Sequence, residues 1–124
     1  MKIYLATPYT HTDPDIREFR FHEINVVAAH IMKSGIYVFS PISHTHPIAV
    51  AGDLPIDWSY WENYDRTFLE WCDELWVYCS EGWEESKGVR VEIEVAKEME
   101  KPVRFIDHEY MKTGKFLDPK ALGE

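Results

Sequence analysis

Carboxylates next to a helix start carry the chemistry this sequence can perform. Glu92 closes the stretch Ser86-Lys87-Gly88-Val89-Arg90-Val91-Glu92, which follows an apolar run from Glu74 to Cys79 and a turn-rich loop, Ser80 to Glu85. A strand, a loop and a helix N-terminus in that order offer unpaired backbone N–H groups and the positive end of a dipole. Such a place holds anions. Ser86 and Gly88 therefore read as part of an anion cradle. Glu92, about one and a half turns into the helix, reads as a nucleophile that the dipole keeps ionised. Asp65 lies within an earlier helical stretch, with Asp73 eight residues further on. Paired carboxylates can do glycosidase-like work: one attacks an anomeric carbon, the other protonates or positions the leaving group. His44 and His46 are alternate residues of a segment read as extended, so they share a side and suit either metal ligation or a pocket wall. A metal site needs further ligands of matching type, and none stands close in sequence, so neither a metal nor a cofactor is expected.

These residues need a frame, and the apolar pattern predicts one. Lys2 to Ala6 reads as a short buried strand, followed by the turn residues Thr7-Pro8-Tyr9-Thr10. Thr12-Asp13-Pro14 starts a helix, with a capping side chain and then a proline near the first helical position. This helix should reach about Lys33, with Gly35 as its stop. Phe21, Ile24, Ala28 and Ile31 form its core stripe. Carried one turn back, the stripe reaches Arg17, either a snorkelling surface cation or a partner for a ligand phosphate. Ile36 to Phe39 is a second strand, ended by Ser40-Pro41. From there to Pro55 no period is visible, and the segment reads as a long loop over the strand end. Ile56 to Cys72 is a second helix, with Trp58, Trp61, Phe68 and Trp71 as its large apolar residues. Glu74 to Cys79 is a third strand, Ser86 to about Glu100 a third helix, and Val103 to Ile106 a fourth strand. The tail from Asp107 reads as weakly structured, with one short helix at most.

Short apolar strands alternating with helices predict an α/β fold. The expected form is a three-layer, flavodoxin/Rossmann-like parallel sheet of four to five strands in the order 2-1-3-4, as one domain over residues 1–124. Ligands in such sheets bind beyond the carboxyl ends of the strands, at the switch point. That gathers the Thr7–Thr10 loop, the His44 segment and the Ser86 helix start around one crevice. The sequence lacks G-x-G-x-x-G, G-x-x-x-x-G-K-[ST] and G-x-S-x-G, which argues against dinucleotide-binding, P-loop and nucleophile-elbow proteins. A net charge of −9 opposes polymeric nucleic acid, although a local site can still take a small anion. Cys72 and Cys79 are too few for a disulfide framework or a four-thiolate zinc site. No signal-peptide pattern and no membrane-length apolar run is visible, so a cytoplasmic protein is expected. Five Trp and seven Tyr suit a pocket for flat ligands and a subunit interface, so a homo-oligomer is expected.

Ile3-Tyr4-Leu5-Ala6, Asp65 spaced eight residues before Asp73, and Ser86-x-Gly88-x-x-x-Glu92 together resemble the nucleoside 2-deoxyribosyltransferase superfamily. That superfamily includes the 2'-deoxynucleoside 5'-phosphate N-hydrolases. The resemblance covers Lys2 to Ile106, and Phe39 to Pro47 with Gly82-Trp83 looks most like a small bacterial and phage branch. It implies that Glu92 is the nucleophile forming a glycosyl-enzyme intermediate at C1', that Asp65 assists departure of the base, and that Tyr4 orients the nucleophile. Ser86 departs from the aspartate common in transferases of free nucleosides and matches the serine of the nucleotide hydrolases, which accepts a 5'-phosphate. An aspartate would repel that phosphate, whereas a hydroxyl beside helix N–H groups binds it. The expected function is thus an N-glycosidase hydrolysing the base–sugar bond of a (2'-deoxy)nucleoside 5'-monophosphate. The alternatives are base exchange by a deoxyribosyltransferase, a non-catalytic nucleotide-binding module, and a hydrolase of NAD-like bonds. Thr7, Tyr9, Arg17, His44, His46, Trp58 and Trp61 join Ser86 and Gly88 as candidate substrate-binding residues. The superfamily's C-terminal elements find no clear match in Asp107–Glu124.

Overall fold

The first strand is the hub of the sheet. In a computed structural model, which describes residues 1–122, β1 (Lys2–Ala6) pairs with β2 (Tyr37–Phe39) on one side and β3 (Glu74–Tyr78) on the other. β3 in turn pairs with β4 (Val103–Ile106). All pairings are parallel, and the order is β2-β1-β3-β4, as the sequence predicts. β1 and β3 are covered on both faces, which is why they read as continuous apolar runs.

Alternate residues of each strand serve different cores. Ile3 and Leu5 join Trp76, Tyr78 and Ile106 against Ile24, Val27, Ala28 and Ile31 of α1 (Pro14–Lys33). Tyr4 and Ala6 join Leu75, Val77 and Phe105 on the opposite face. There they meet Leu69 of α3 (Trp58–Trp71) and Val89, Ile93 and Ala96 of α4 (Lys87–Glu98). The two-residue period therefore commits Tyr4 to the same layer as Asp65 and Glu92.

The start of α1 follows the sequence signal. Pro14 occupies the first turn, and the Asp13 side chain accepts the Asp15 N–H at 2.9 Å. The segment read as a loop after Ser40 is instead mostly helix, α2 (Pro41–Gly52). Ser40-Pro41 ends β2 but is also an N-cap followed by a first-turn proline. Pro47 lies inside α2, where it removes the N–H that would bond the Ser43 carbonyl and masks the helix in the sequence. The buried face of α2 is Pro41, Ile42, His46 and Ala49, so a histidine stands where an apolar residue would have revealed the period. The tail is also more ordered than expected. It contains α5 (Tyr110–Thr113), a bridge from Leu117 to Phe105 and a 3₁₀ turn over Pro119–Leu122. Tyr110 and Phe116 pack edge-on against Trp76, with ring centroids at 5.7 and 4.9 Å. Among the described residues no helix is long and apolar enough to cross a membrane.

Asp73, weighed in the sequence as a partner for Asp65, belongs to the other end of the sheet. Its carboxylate accepts the Lys2 N–H at 2.8 Å and its own N–H donates to the Lys2 carbonyl at 2.7 Å, clamping the amino ends of β1 and β3. The helix that carries Asp65 has its own anchor. Lys101 Nζ donates to the carbonyls of Leu69, at 2.8 Å, and of Glu70 and Cys72, closing the C-terminal end of α3. Lys101→Met should lower stability by about 1.5–3 kcal/mol, the range for hydrogen bonds to charged groups. The measurement is urea unfolding, with a lower midpoint and an unchanged slope. An unchanged midpoint would contradict the cap.

Candidate active site

At the carboxyl ends of β1 and β3, where the strand order reverses, a cleft of about 580 Å³ opens. Residues 7–10 form one wall, α2 contributes Ile42, Thr45 and His46, and α3 contributes Trp58, Trp61 and Asp65. Gly82 and the start of α4, with Ser86, Gly88 and Glu92, close it.

Glu92 is the sixth residue of α4, beyond the first turn in which a helix dipole acts strongly. Its exposure is 6%. Burial raises its pKa to about 8; the Tyr4 hydroxyl opposes the rise and the Asp65 charge adds to it. The expectation that the dipole keeps Glu92 ionised is therefore overturned by desolvation, a larger effect. Asp65, half-buried, is raised to about 7, also by burial. Tyr4 is fully buried, and burial together with the Glu92 and Asp65 charges raises its hydroxyl well above the ordinary tyrosine value. The Tyr4 hydroxyl lies close enough to Glu92 to stabilise its anion. Even so, neither Tyr4 Oη nor Asp65 Oδ1 closes a hydrogen bond of normal geometry. Buried polar atoms are usually satisfied, so two unmet atoms in one cluster of raised pKa values mark a functional-site candidate. The two carboxyl groups lose their protons as a pair, and between the two steps they hold one proton.

Ser86 is the N-cap of α4, and its Oγ accepts the Val89 N–H at 3.3 Å. The N–H groups of Lys87 and Gly88 precede the helical ladder and remain for a ligand. A Cβ at Gly88 would stand 3.4 Å from Trp58 Cε3, so the glycine lets the indole lie against the helix start. Arg20 brings a cation to the cleft that the sequence reading missed, and Lys87 lines it as well. Arg20 donates to the carbonyls of Tyr9 at 3.3 Å and Thr10 at 3.2 Å, and its Nη2 stands 3.5 Å from the position of a Cβ on Gly82. Arg17 does not line the cleft; it donates to the His11 carbonyl and lies beside the Tyr9 hydroxyl. Counting back one turn from Ile24 reaches Arg20 first, and that spacing was the available signal.

The two histidines part company because α2 is a helix, in which residues two apart do not share a face. His46 is 5% exposed and lies on the cleft wall, bonded to Tyr9 and to Glu18 of α1. His44 turns away from the cleft and stacks on Tyr64, with Nε2 2.8 Å from the Tyr64 hydroxyl. No group of three or more His, Cys, Asp or Glu among the described residues is arranged to hold a metal. Thr7 is buried, with its hydroxyl 3.4 Å from that of Ser80. Trp61 donates from Nε1 to the Pro55 carbonyl at 2.8 Å, which fixes its indole on the rim.

The fold has a counterpart among solved structures. The 2-deoxyribosyltransferase of the psychrotolerant bacterium Bacillus psychrosaccharolyticus aligns with 97% of this chain and 79% of its own, at a TM-score of 0.61 and 18% identity. At that identity the likeness is one of fold. Curated protein sequences give no match. A family model does match, over residues 1–108, and so takes in all four strands and the whole cleft. The chain belongs to that family, described as a domain of unknown function, DUF1937.

Proposed function

We propose that the protein is an N-glycosidase that hydrolyses the base–sugar bond of a nucleoside 5'-monophosphate, with 2'-deoxyribose as the sugar. The observation that carries this reading is the buried cluster of Tyr4, Asp65 and Glu92 at the floor of the cleft. Two carboxyl groups with raised pKa values can divide nucleophile and acid roles near neutral pH. The likeness of fold to a 2-deoxyribosyltransferase supports nucleoside processing in general.

In this reading ionised Glu92 attacks C1'. The C1'–N bond breaks, its electron pair leaves with the base, and the proton on Asp65 passes to the base. Burial alone would favour the single shared proton on Glu92, the more enclosed group. The Tyr4 donor and the positive charge developing at C1' favour the reverse, which is the productive arrangement. Water then attacks C1', gives its proton to Asp65 and frees Glu92. The products are a free base and a sugar 5'-phosphate. Phosphate recognition falls to the first-turn N–H groups, Arg20 and Ser86, whose hydroxyl can donate to a phosphate while its oxygen accepts from Val89. Tyr9, Trp58 and Trp61 offer aromatic surface to the base. If an acceptor base replaces water, the same residues perform transfer, the reaction named for the solved counterpart.

The direct test incubates the protein with a panel of nucleoside monophosphates and detects free base by mass spectrometry. Glu92→Gln should lower base release by about 10³-fold or more, and undiminished release would remove Glu92 from the chemistry. The same variant has a stability signature. Because the folded protein holds the Glu92 proton up to about pH 8 against an ordinary value of 4.5, this group binds protons more tightly when folded. Its contribution to stability is full below about 4.5 and is lost as pH rises to about 8. Glu92→Gln should therefore lose less melting temperature than the wild type between pH 5 and pH 9. Parallel curves would contradict a buried, titrating carboxyl.

The pH dependence of kcat/KM should be bell-shaped, rising as the pair loses its first proton and falling as it loses its second, around the values of about 7 and about 8. Asp65→Asn should remove the descending limb. The ascending limb should then report Glu92 alone and lie no lower than in the wild type, because the first proton of the intact pair can leave from either group. An intact bell would exclude the acid role. Ser86→Asp should reduce the preference for monophosphate over nucleoside by about tenfold, through like-charge repulsion and a lost charge-assisted bond. An unmoved ratio would leave Ser86 as a cap only.

A further inference from the structure

Tyr9, His46 and Glu18 form a hydrogen-bonded chain that leads from the cleft wall to the protein surface. Tyr9 Oη lies 2.5 Å from His46 Nδ1, and His46 Nε2 lies 2.7 Å from Glu18 Oε2. Phe21 packs on the imidazole at 4.4 Å, and His46 is almost wholly buried. The mechanism above uses none of these bonds.

The chemistry of the chain fixes its direction. An ionised carboxylate only accepts, and the His46 bond holds the Glu18 carboxyl below its ordinary pKa. His46 Nε2 must then carry the proton that it donates to Glu18. A neutral imidazole has one donor and one acceptor, so Nδ1 is left with a lone pair, which takes the Tyr9 O–H. Burial raises the Tyr9 pKa, which keeps the phenol protonated, with Arg17 opposing that rise. Tyr9 thus spends its only proton on His46. Of the two lone pairs on its oxygen, Arg17 can take one.

Tyr9 and His46 both line the cleft, and Tyr9 packs with the core on the α1 side of the sheet. Ser86 and Gly88 begin α4, which packs on the other side. In the nucleotide reading the phosphate lies at the start of α4, which leaves Tyr9, from the α1 side, for the base. We infer that the Tyr9–His46–Glu18 chain locks the Tyr9 oxygen as a hydrogen-bond acceptor, so that the cleft selects bases with an exocyclic amino group, of cytosine or adenine type, over their keto counterparts. This inference rests on the nucleotide reading above. Tyr9 is the contacting residue; His46 and Glu18 are positioning residues. With the exocyclic group against Tyr9, a keto oxygen would face the Tyr9 oxygen with no proton between them, whereas an amino group supplies one.

The test is equilibrium binding by calorimetry at pH 8, where histidine is ordinarily neutral. The protein carries Glu92→Gln so that ligands stay whole, and the probes are the pairs dCMP and dUMP, and dAMP and dIMP. The amino member of a pair should bind about tenfold or more tightly than the keto member. Adding Tyr9→Phe should bring that ratio close to one without weakening the keto member. Adding Glu18→Gln, outside the cleft, should also shrink the ratio, because an amide can donate to Nε2 and turn Nδ1 into a donor that releases the Tyr9 proton. Equal binding within both pairs, a keto preference, or an amino preference that survives Tyr9→Phe would overturn the inference while leaving the nucleotide reading in place. Binding of none of the four would overturn both.

Discussion

The burial of the Glu92 carboxyl beside that of Asp65 is the interaction on which the site depends. Removing one charge from water costs several kcal/mol, and two adjacent charges cannot both be held cheaply. The pair answers by keeping a proton into the neutral range. Holding the two groups together takes three separate elements. β1 supplies Tyr4 through the alternation of a strand buried on both faces. The Ser86 cap sets where α4 begins and hence where Glu92 falls. Lys101 closes the end of α3, the helix that delivers Asp65.

The cleft also reconciles an acidic protein with the anionic ligand proposed for it. A net charge of −9 disfavours a long polyanion. A helix start and one arginine still make a local positive end, and Arg20 is tied to the carbonyls of residues 9 and 10, so it enters the cleft already positioned. Aromatic surface lies along the rest of the cleft, and the glycine at the helix start lets one indole close against it.

Much of this frame was legible in the sequence, for definite reasons. β1, β3 and β4 are short apolar runs between turn residues, and Asp13-Pro14 and Gly35 bracket α1. The parallel pairing followed from the alternation. What stayed hidden was hidden by local chemistry. Pro47 and a buried histidine concealed α2, and taking that segment as extended gave His44 and His46 a shared side that a helix denies them. Arg17 and Arg20 lie three residues apart on one helix, and counting back from Phe21 instead of Ile24 pointed to the one beside the cleft. The dipole at Glu92 could be read from its position, whereas the desolvation that outweighs it could not. The convergence of Tyr4, Asp65, Ser86 and Glu92 was suggested by resemblance rather than spacing. The structure gathers Asp65, Ser86, Gly88, Glu92, Thr7, Tyr9, His46, Trp58 and Trp61 on one cleft, with Tyr4 coupled beneath it.

The central claim is that Glu92 becomes covalently bonded to the sugar during turnover. The direct measurement is rapid acid quench with a nucleoside 5'-monophosphate that releases its base, followed by peptide mass mapping. The account predicts that the peptide carrying Glu92 gains the mass of a sugar-phosphate residue, and that Glu92→Gln abolishes the gain. Turnover with Glu92 unmodified throughout, or the same mass gain on a different residue, would contradict it.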